Sequence, residues 1–368
     1  MIRLSKSTIG EAEKKAVLGV LDREYLGMGR EVEEFENMLA RFFGRPVACV
    51  NSGTAALHLA LQAIGVGLGD EVLVQSLTFI ATFQAISATG AKPVPCEVDP
   101  ATITIDLKDT EKRLTDKTRA IMPVHYASGM GALNEIYAFA KANGLSVIED
   151  AAHAFGSLYN GHKTGSFGEI ACFSFDGIKN ITCSEGGAIV TDDAAVLQKV
   201  RDARLLGVER DTEKRFAGQR SWEFDAKEQG WRYHMSNIMA AIGCAQLKQF
   251  PHITQIRKAI ATRYVEMLNG IDGIEPLQLD YRNIVPHIFV IKVKKRNRDA
   301  LRSFLIENNI ECGIHYYPNH MLTKYKTSYI LPATEQAYRE ILSLPCHLDL
   351  TNKDQDYVIS KIKEFFHA

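Results

Sequence analysis

Between residues 46 and 191 the chain keeps changing its apolar rhythm, from short β-branched runs to stretches with helical spacing and back. The runs PVACV (46–50), EVLVQS (71–76), KPVPCEV (92–98), RAIMPVH (119–125), LSVIED (145–150), IACFSF (170–175) and GAIVT (187–191) read as strands. Between the first two, TAALHLALQAI (54–64) sets Ala56, Leu57, Ala60, Leu61 and Ile64 on one helical face. NEIYAFAKANG (134–144) ends in Gly144, a helix stop. Strands that alternate with helices in this way predict an α/β fold built on a mainly parallel sheet.

The pattern breaks at 208–231, a charged and weakly periodic stretch expected to be an irregular excursion. A long helix is predicted from Ser236 to Leu268, with Pro251 marking a break or kink. The remainder is expected to form a smaller α+β domain, with strands HIFVIKV (287–293) and ECGIHYY (311–317) and helices RDALRSFLIENN and DQDYVISKIKEFF. The division is drawn as 1–250 for the large domain and 251–368 for the small one.

The 43 basic and 44 acidic residues leave a net charge of −1, which argues against a nucleic-acid binder working by bulk charge. No apolar run is long enough to span a membrane, and MIRLSKSTIGEAEKK has no apolar signal region. The seven dispersed cysteines contain no Cys-x-x-Cys pair, so reduced thiols in a cytoplasmic compartment are expected. Cys183 has no base evident beside it and is read as structural.

Four features gather at the carboxyl ends of predicted strands, where open α/β sheets bind ligands. Asn51-Ser52-Gly53-Thr54 joins a strand to a helix and offers backbone N–H groups to an anion. Glu149 and Asp150 end the apolar run LSVI, with His153 close behind. Metal ligands with recognisable spacing are lacking there, which leaves a helix cap or a carboxylate that holds a proton on a heterocyclic nitrogen. Phe79 follows a strand directly and is either core or a platform for a ring. Lys179 stands between two strand-like runs, five residues after Ser174. Neither a G-x-G-x-x-G fingerprint nor a Walker loop is present. An amine, an anion nest, a carboxylate and an aromatic platform together match the needs of pyridoxal 5'-phosphate.

An ordered series of motifs runs nearly end to end: GMGREVEEFE, NSGTAALHLAL, DEVLVQSLTFIATFQAI, PVHYASG, VIEDAAHAFGS, FSFDGIKNITCSEGGAIVTDD, GWRYHMSNIMAAIGCAQL, HYYPNH and LPATEQAYREILSLPCHLDLT. In these segments the chain resembles the DegT/DnrJ/EryC1/StrS sugar-nucleotide aminotransferases, of the aspartate-aminotransferase fold (fold type I). The resemblance implies that Lys179 bonds the cofactor and that Ser174, Gly53 and Thr54 hold its phosphate. It implies further that Asp150 pairs with the pyridine nitrogen, that His153 lies near the phenolic oxygen and that Phe79 stacks on the ring. It also implies a homodimer with shared active sites, in which the segment Gly230–Met235 reaches the neighbouring cofactor phosphate. That segment departs from the usual G-Y-N-Y-R-M, leaving Arg232 and His234 as replacement donors, and Asp176 stands where relatives have His.

The activity so implied is transfer of an amino group from L-glutamate, giving 2-oxoglutarate, to a nucleotide-linked keto sugar. The product would be an amino-deoxysugar for a surface polysaccharide, such as an O-antigen of lipopolysaccharide, or for a glycosylated metabolite. A dTDP-4-keto-6-deoxyhexose leads; a 3-keto sugar, a GDP or UDP carrier, or a keto-cyclitol stays open. A non-catalytic cofactor-binding regulator is the reading from another class. The related dehydratases, with His for the lysine, are disfavoured by Lys179.

Overall fold

The computed structural model describes residues 1–294 and 297–367. Every one of the expected strand runs in the first half forms a strand. These are β1 (Val47–Val50), β2 (Glu71–Gln75), β3 (Lys92–Cys96), β4 (Thr118–Met122) and β5 (Ser146–Asp150). After a small hairpin of β6 (Leu158–Tyr159) and β7 (His162–Lys163) come β8 (Ile170–Ser174) and β9 (Gly187–Val190). They make one seven-stranded sheet in the order β1-β9-β8-β5-β4-β2-β3. Only β9 runs against its neighbours; the other pairings are parallel.

Helices cover both faces of this sheet, so its strands alternate between two cores rather than between core and solvent. Val47 and Cys49 of β1 join Ala171 and Phe173 of β8 under the Arg30–Phe43 helix. Ala48 and Val50 join Cys172 under the Gly53–Ala63 helix. The excursion at 208–231 holds one short helix, Asp211–Phe216, and leaves Trp222 and Phe224 exposed.

A second sheet, β10 (Ile274–Pro276), β11 (Phe289–Val293) and β12 (Ile341–Leu344), is antiparallel in that order. The helices Arg298–Glu307 and Asn352–His367 complete this part of the chain. The expected strand ECGIHYY does not form: Gly313 makes one isolated bridge to Ser343, and ILSL takes the place beside β11. The segment instead turns to deliver His315 and Tyr316 to the cavity described below.

The helix expected to break at Pro251 runs unbroken from Asn237 to Leu268. Ser236 caps it, its Oγ accepting from the Met239 N–H at 3.3 Å. Packing on both sides of the proline overrides the lost backbone donor. Phe250 lies 4.9 Å from the ring of Phe155, and Ile253 is buried in the same core. From Ile260 to Leu268 the helix packs into the core of the second sheet. The expected division at 250/251 therefore falls inside a single helix.

Candidate active site

The carboxyl ends of β1, β2, β5 and β8 open into one cavity of about 490 Å³. Lys179, Asp150, His153, Ser174, Gly53, Thr54 and Phe79 all line it. At the end of β1, Ser52 caps the Gly53–Ala63 helix, its Oγ accepting from the Ala55 N–H at 3.1 Å. Two glycines let the backbones close up around this cap. A Cβ on Gly53 would lie 2.8 Å from Ser174 Cβ, and one on Gly187 would lie 2.3 Å from the Ser52 carbonyl oxygen. The Ser174 hydroxyl and the first N–H groups of a helix thus share one corner, which is a seat for an anion.

Glu149 and Asp150 are adjacent on β5 and point to opposite faces, as strand periodicity requires. Glu149 turns away from the cavity. It pairs with His125 Nε2 at 2.7 Å and accepts from the Tyr137 hydroxyl at 2.5 Å. Asp150 faces the cavity, accepting from Thr82 Oγ1 at 2.8 Å and from the Ala152 N–H at 3.2 Å. Burial pushes its pKa up, against the opposing pull of Thr82, Ala152, Lys179 and His125.

Lys179 lies in the loop after β8, where its N–H donates to the Asp176 carbonyl at 3.0 Å. Burial brings its amine down to about 8; Asp176 and Asp150 pull the other way. That amine is partly deprotonated near neutrality, as a proton-transferring lysine has to be. Its Nζ lies 3.3 Å from His287 Nε2. His153 packs against His287 with ring centroids 4.5 Å apart, and its Nε2 lies 3.0 Å from the Tyr316 hydroxyl. Burial holds His153 and His287 well below the usual histidine value and brings His315 to about 4.

Phe79 precedes the Ile80–Ala88 helix, about half exposed, with its ring 5.4 Å from that of Tyr316. Asp176 and Glu185 also line the cavity. Arg232 and His234 do not. Their segment runs alongside the end of β1, with bridges from His234 to Val50 and from Arg232 to Leu205. The Asn51 N–H donates to the Tyr233 carbonyl at 2.7 Å. Arg232 is exposed; His234 is partly buried and brought to about 4, by burial first and then by Arg215, Arg232 and Arg204.

Sequence reading gave no site role to Thr82, His287, His315 or Tyr316. Thr82 stands one helical turn after Thr78, a spacing that carries a signal only once Asp150 is known to face it. His287 opens an apolar run that reads as a strand, and nothing local marks it.

Comparison with known proteins agrees with this geometry. The model of the DegT/DnrJ/EryC1/StrS aminotransferase family matches residues 7–363. The aminotransferase TlmJ from Streptoalloteichus hindustanus is 30% identical with a TM-score of 0.92, over 99% of this chain and 98% of its own. PseC from Helicobacter pylori, an aminotransferase involved in the biosynthesis of pseudoaminic acid, is 27% identical with a TM-score of 0.91, over 100% and 99%. Spr1654 from Streptococcus pneumoniae in its PMP form is 29% identical with a TM-score of 0.91, over 100% and 99%. It has also been solved in a PLP form. With nearly every residue matched and the fold shared from end to end, this chain belongs to the DegT/DnrJ/EryC1/StrS family and is a pyridoxal phosphate-dependent sugar aminotransferase.

Proposed function

We propose that this enzyme moves the amino group of L-glutamate onto a keto sugar carried by a nucleoside diphosphate, with a dTDP-4-keto-6-deoxyhexose as the first candidate. The observation that carries the reading is the meeting of Lys179, Asp150, His153 and the Ser174–Gly53 corner in one cavity. The involvement of PseC in the biosynthesis of pseudoaminic acid supports an amino-sugar product here.

The residues fit the cofactor. Asp150 is a buried carboxylate aimed into the cavity and still pushed up by burial, so a protonated ring nitrogen is the partner that suits it. The close approach of Gly53 to Ser174, where a Cβ would meet Ser174 Cβ at 2.8 Å, sets the Ser174 hydroxyl beside the N-terminus of the helix, a place suited to an anion. Lys179 would attach the cofactor, Ser174, Gly53 and Thr54 would hold its phosphate, and Phe79 would cover the ring. His153 would lie toward the phenolic oxygen. When bound, the cofactor supplies an electron sink for the pair released from a substrate C–H bond. Asp150 would keep a negative charge beside the ring nitrogen, and Lys179 Nζ would take up the proton released from the substrate C–H bond in the first half-reaction and supply one to the sugar carbon in the second. Glutamate leaves as 2-oxoglutarate before the sugar enters.

The active unit in this reading is a cytoplasmic homodimer, with residues 1–250 as the cofactor-binding domain and 251–368 as the smaller one. Arg232, the exposed member of the Arg232–His234 pair, is the better candidate to reach a neighbouring phosphate. A coupled assay with L-glutamate against nucleotide-linked 3- and 4-keto sugars on dTDP, UDP and GDP tests the substrate, with products assigned by NMR. Amination of a nucleotide-linked sugar is expected. Amination of free keto-cyclitols alone, or no amination with cofactor bound, refutes the reading.

A further inference from the structure

The amine of Lys179 has a fixed neighbour that its proposed role does not use. His287 stands just before β11 and is 4% exposed. Its N–H donates to Ser128 Oγ at 3.2 Å, and its carbonyl accepts from Arg257 Nη1 at 3.1 Å. The ring is backed by His153, which is itself tied to Tyr316. Backbone and ring are therefore held from several directions, with Nε2 left facing Lys179 Nζ at 3.3 Å.

The other ring nitrogen, Nδ1, is buried and has no hydrogen-bond partner. A neutral imidazole has one N–H and one lone pair. In protein interiors an N–H without an acceptor is rarer than an idle acceptor lone pair. The idle lone pair therefore belongs on Nδ1, and the proton on Nε2. An N–H on Nε2 can donate only to a lysine nitrogen with a free lone pair, so the contact is favourable for the neutral amine and repulsive for the ammonium. We propose that His287 is a positioning residue whose Nε2–H donates to Lys179 Nζ and holds that amine in its neutral form. After Lys179 accepts a proton, the same N–H disfavours keeping it there.

The surroundings of the pair are mixed in sign. Asp176 from the same loop and Asp150 from the end of β5 favour the charged amine, whereas Arg257 from the Asn237–Leu268 helix opposes it. Glu185, also on the cavity wall, adds a further acid. His153 and His315 complete the ring of groups and are held neutral by burial. Burial depresses Lys179 and His287 alike, so the neutral–neutral pair is the one that the site favours.

The role in catalysis rests on Lys179 being the reactive amine, as proposed above, but its test does not need turnover. The full chain is stripped of cofactor, and labelling of Lys179 by trinitrobenzenesulfonate is followed across pH by peptide mass spectrometry. The wild-type midpoint is expected near about 8. His287→Leu removes the donor while keeping the site apolar and should raise the midpoint by about one pH unit. His287→Gln, whose longer amide carries an N–H to the neighbourhood of Nε2, should stay within roughly 0.3 unit of wild type. Where the leucine variant does not fold, His287→Met, which also lacks an N–H, is measured instead. An unchanged or lowered midpoint in the variant without a donor overturns the proposal. A raised midpoint in a protein that aminates no nucleotide-linked sugar upholds it and refutes the substrate reading alone.

Discussion

Asp150→Asn separates the charge of this side chain from its shape, because the hydrogen bonds around it can be rebuilt. Asp150 accepts from Thr82 Oγ1 at 2.8 Å and from the Ala152 N–H at 3.2 Å, and Thr82 Oγ1 lies 3.1 Å from Thr78 Oγ1. In the variant the amide oxygen keeps the bond to Ala152 while the amide NH₂ donates to Thr82. The Thr82 hydroxyl then turns to donate to Thr78. What disappears is the negative charge, and with it the charge-assisted hydrogen bond that the proposed role gives Asp150 with the ring nitrogen. Removing one partner of a buried charged pair costs about 3–4 kcal/mol, which is roughly 150- to 1000-fold in rate. The assay is the glutamate half-reaction in stopped flow on protein whose cofactor content has been measured. A rate within about threefold of wild type, under 1 kcal/mol, refutes the reasoning.

The same substitution has the opposite effect on the cofactor-free fold. Burial raises Asp150, so the folded chain binds this proton more tightly than the unfolded one. Its contribution to stability is intact below the unfolded carboxylate value, near about 3.9, and is lost as pH rises through the folded value. Above the folded value the ionised group is a burden that asparagine removes. Cofactor-free Asp150→Asn should therefore melt no lower than wild type at pH 7, whereas wild type should gain more on cofactor binding.

Lys179→Ala should abolish transamination and the visible absorbance of lysine-bound cofactor while leaving the melting temperature of the cofactor-free protein within a few degrees; turnover near the wild-type rate sinks the assignment. In Gly53→Ala the new Cβ meets Ser174 Cβ at 2.8 Å and Ser174 Cα at 3.3 Å. Backbone cannot yield there as a side-chain tip can, so about 1–3 kcal/mol of stability and much of the cofactor retention should be lost, and unchanged values of both count against the anion seat. Lys179→Ala mixed with Arg232→Glu should regain up to about a quarter of wild-type activity on random subunit exchange; exchange without recovery refutes a shared site.

The sheet was legible because its strands are short apolar runs, each bounded by turns, and periodicity reports such elements directly. The reading failed where distant packing decides. Pro251 does not stop its helix because Phe250 and Ile253 are seated in a core built mainly from other segments. ECGIHYY has the composition of a strand, yet only Gly313 pairs, and the next residues serve the cavity. The site divides in the same way. Lys179, Asp150, His153 and Ser174 belong to local motifs that resemblance brings out. His287 lies 108 residues from the lysine that it meets, in a run whose apolar neighbours mask it. Nothing local marks Arg257 in its long helix, and in the fold its Nη1 donates to the carbonyls of Pro286, His287 and Cys346.

The charges on the cavity wall bear on where the phosphate finds its counterion. Asp150, Asp176 and Glu185 line it against the single amine of Lys179. Glu185 is pushed up, by burial and then by Asp176, which is what crowded acids do. His153 and His315 add no positive charge at neutral pH, since burial holds both well below it. Arg257 is close enough to be felt by Lys179, but its Nη1 is committed to three carbonyl oxygens and the residue does not line the cavity. In the proposed reading a cofactor phosphate in the Ser174–Gly53 corner would meet neutral donors and a helix N-terminus from its own chain, and Lys179 is the only lysine or arginine among the described lining residues. The helix dipole supplies only part of a charge. Arg232 is rooted beside that corner through the Asn51–Tyr233 hydrogen bond, yet it is exposed and is not among the residues that line its own chain's cavity. In the proposed dimer a second copy of the chain would give that guanidinium something to neutralise, and would give the phosphate the cation that the lining of one chain does not provide.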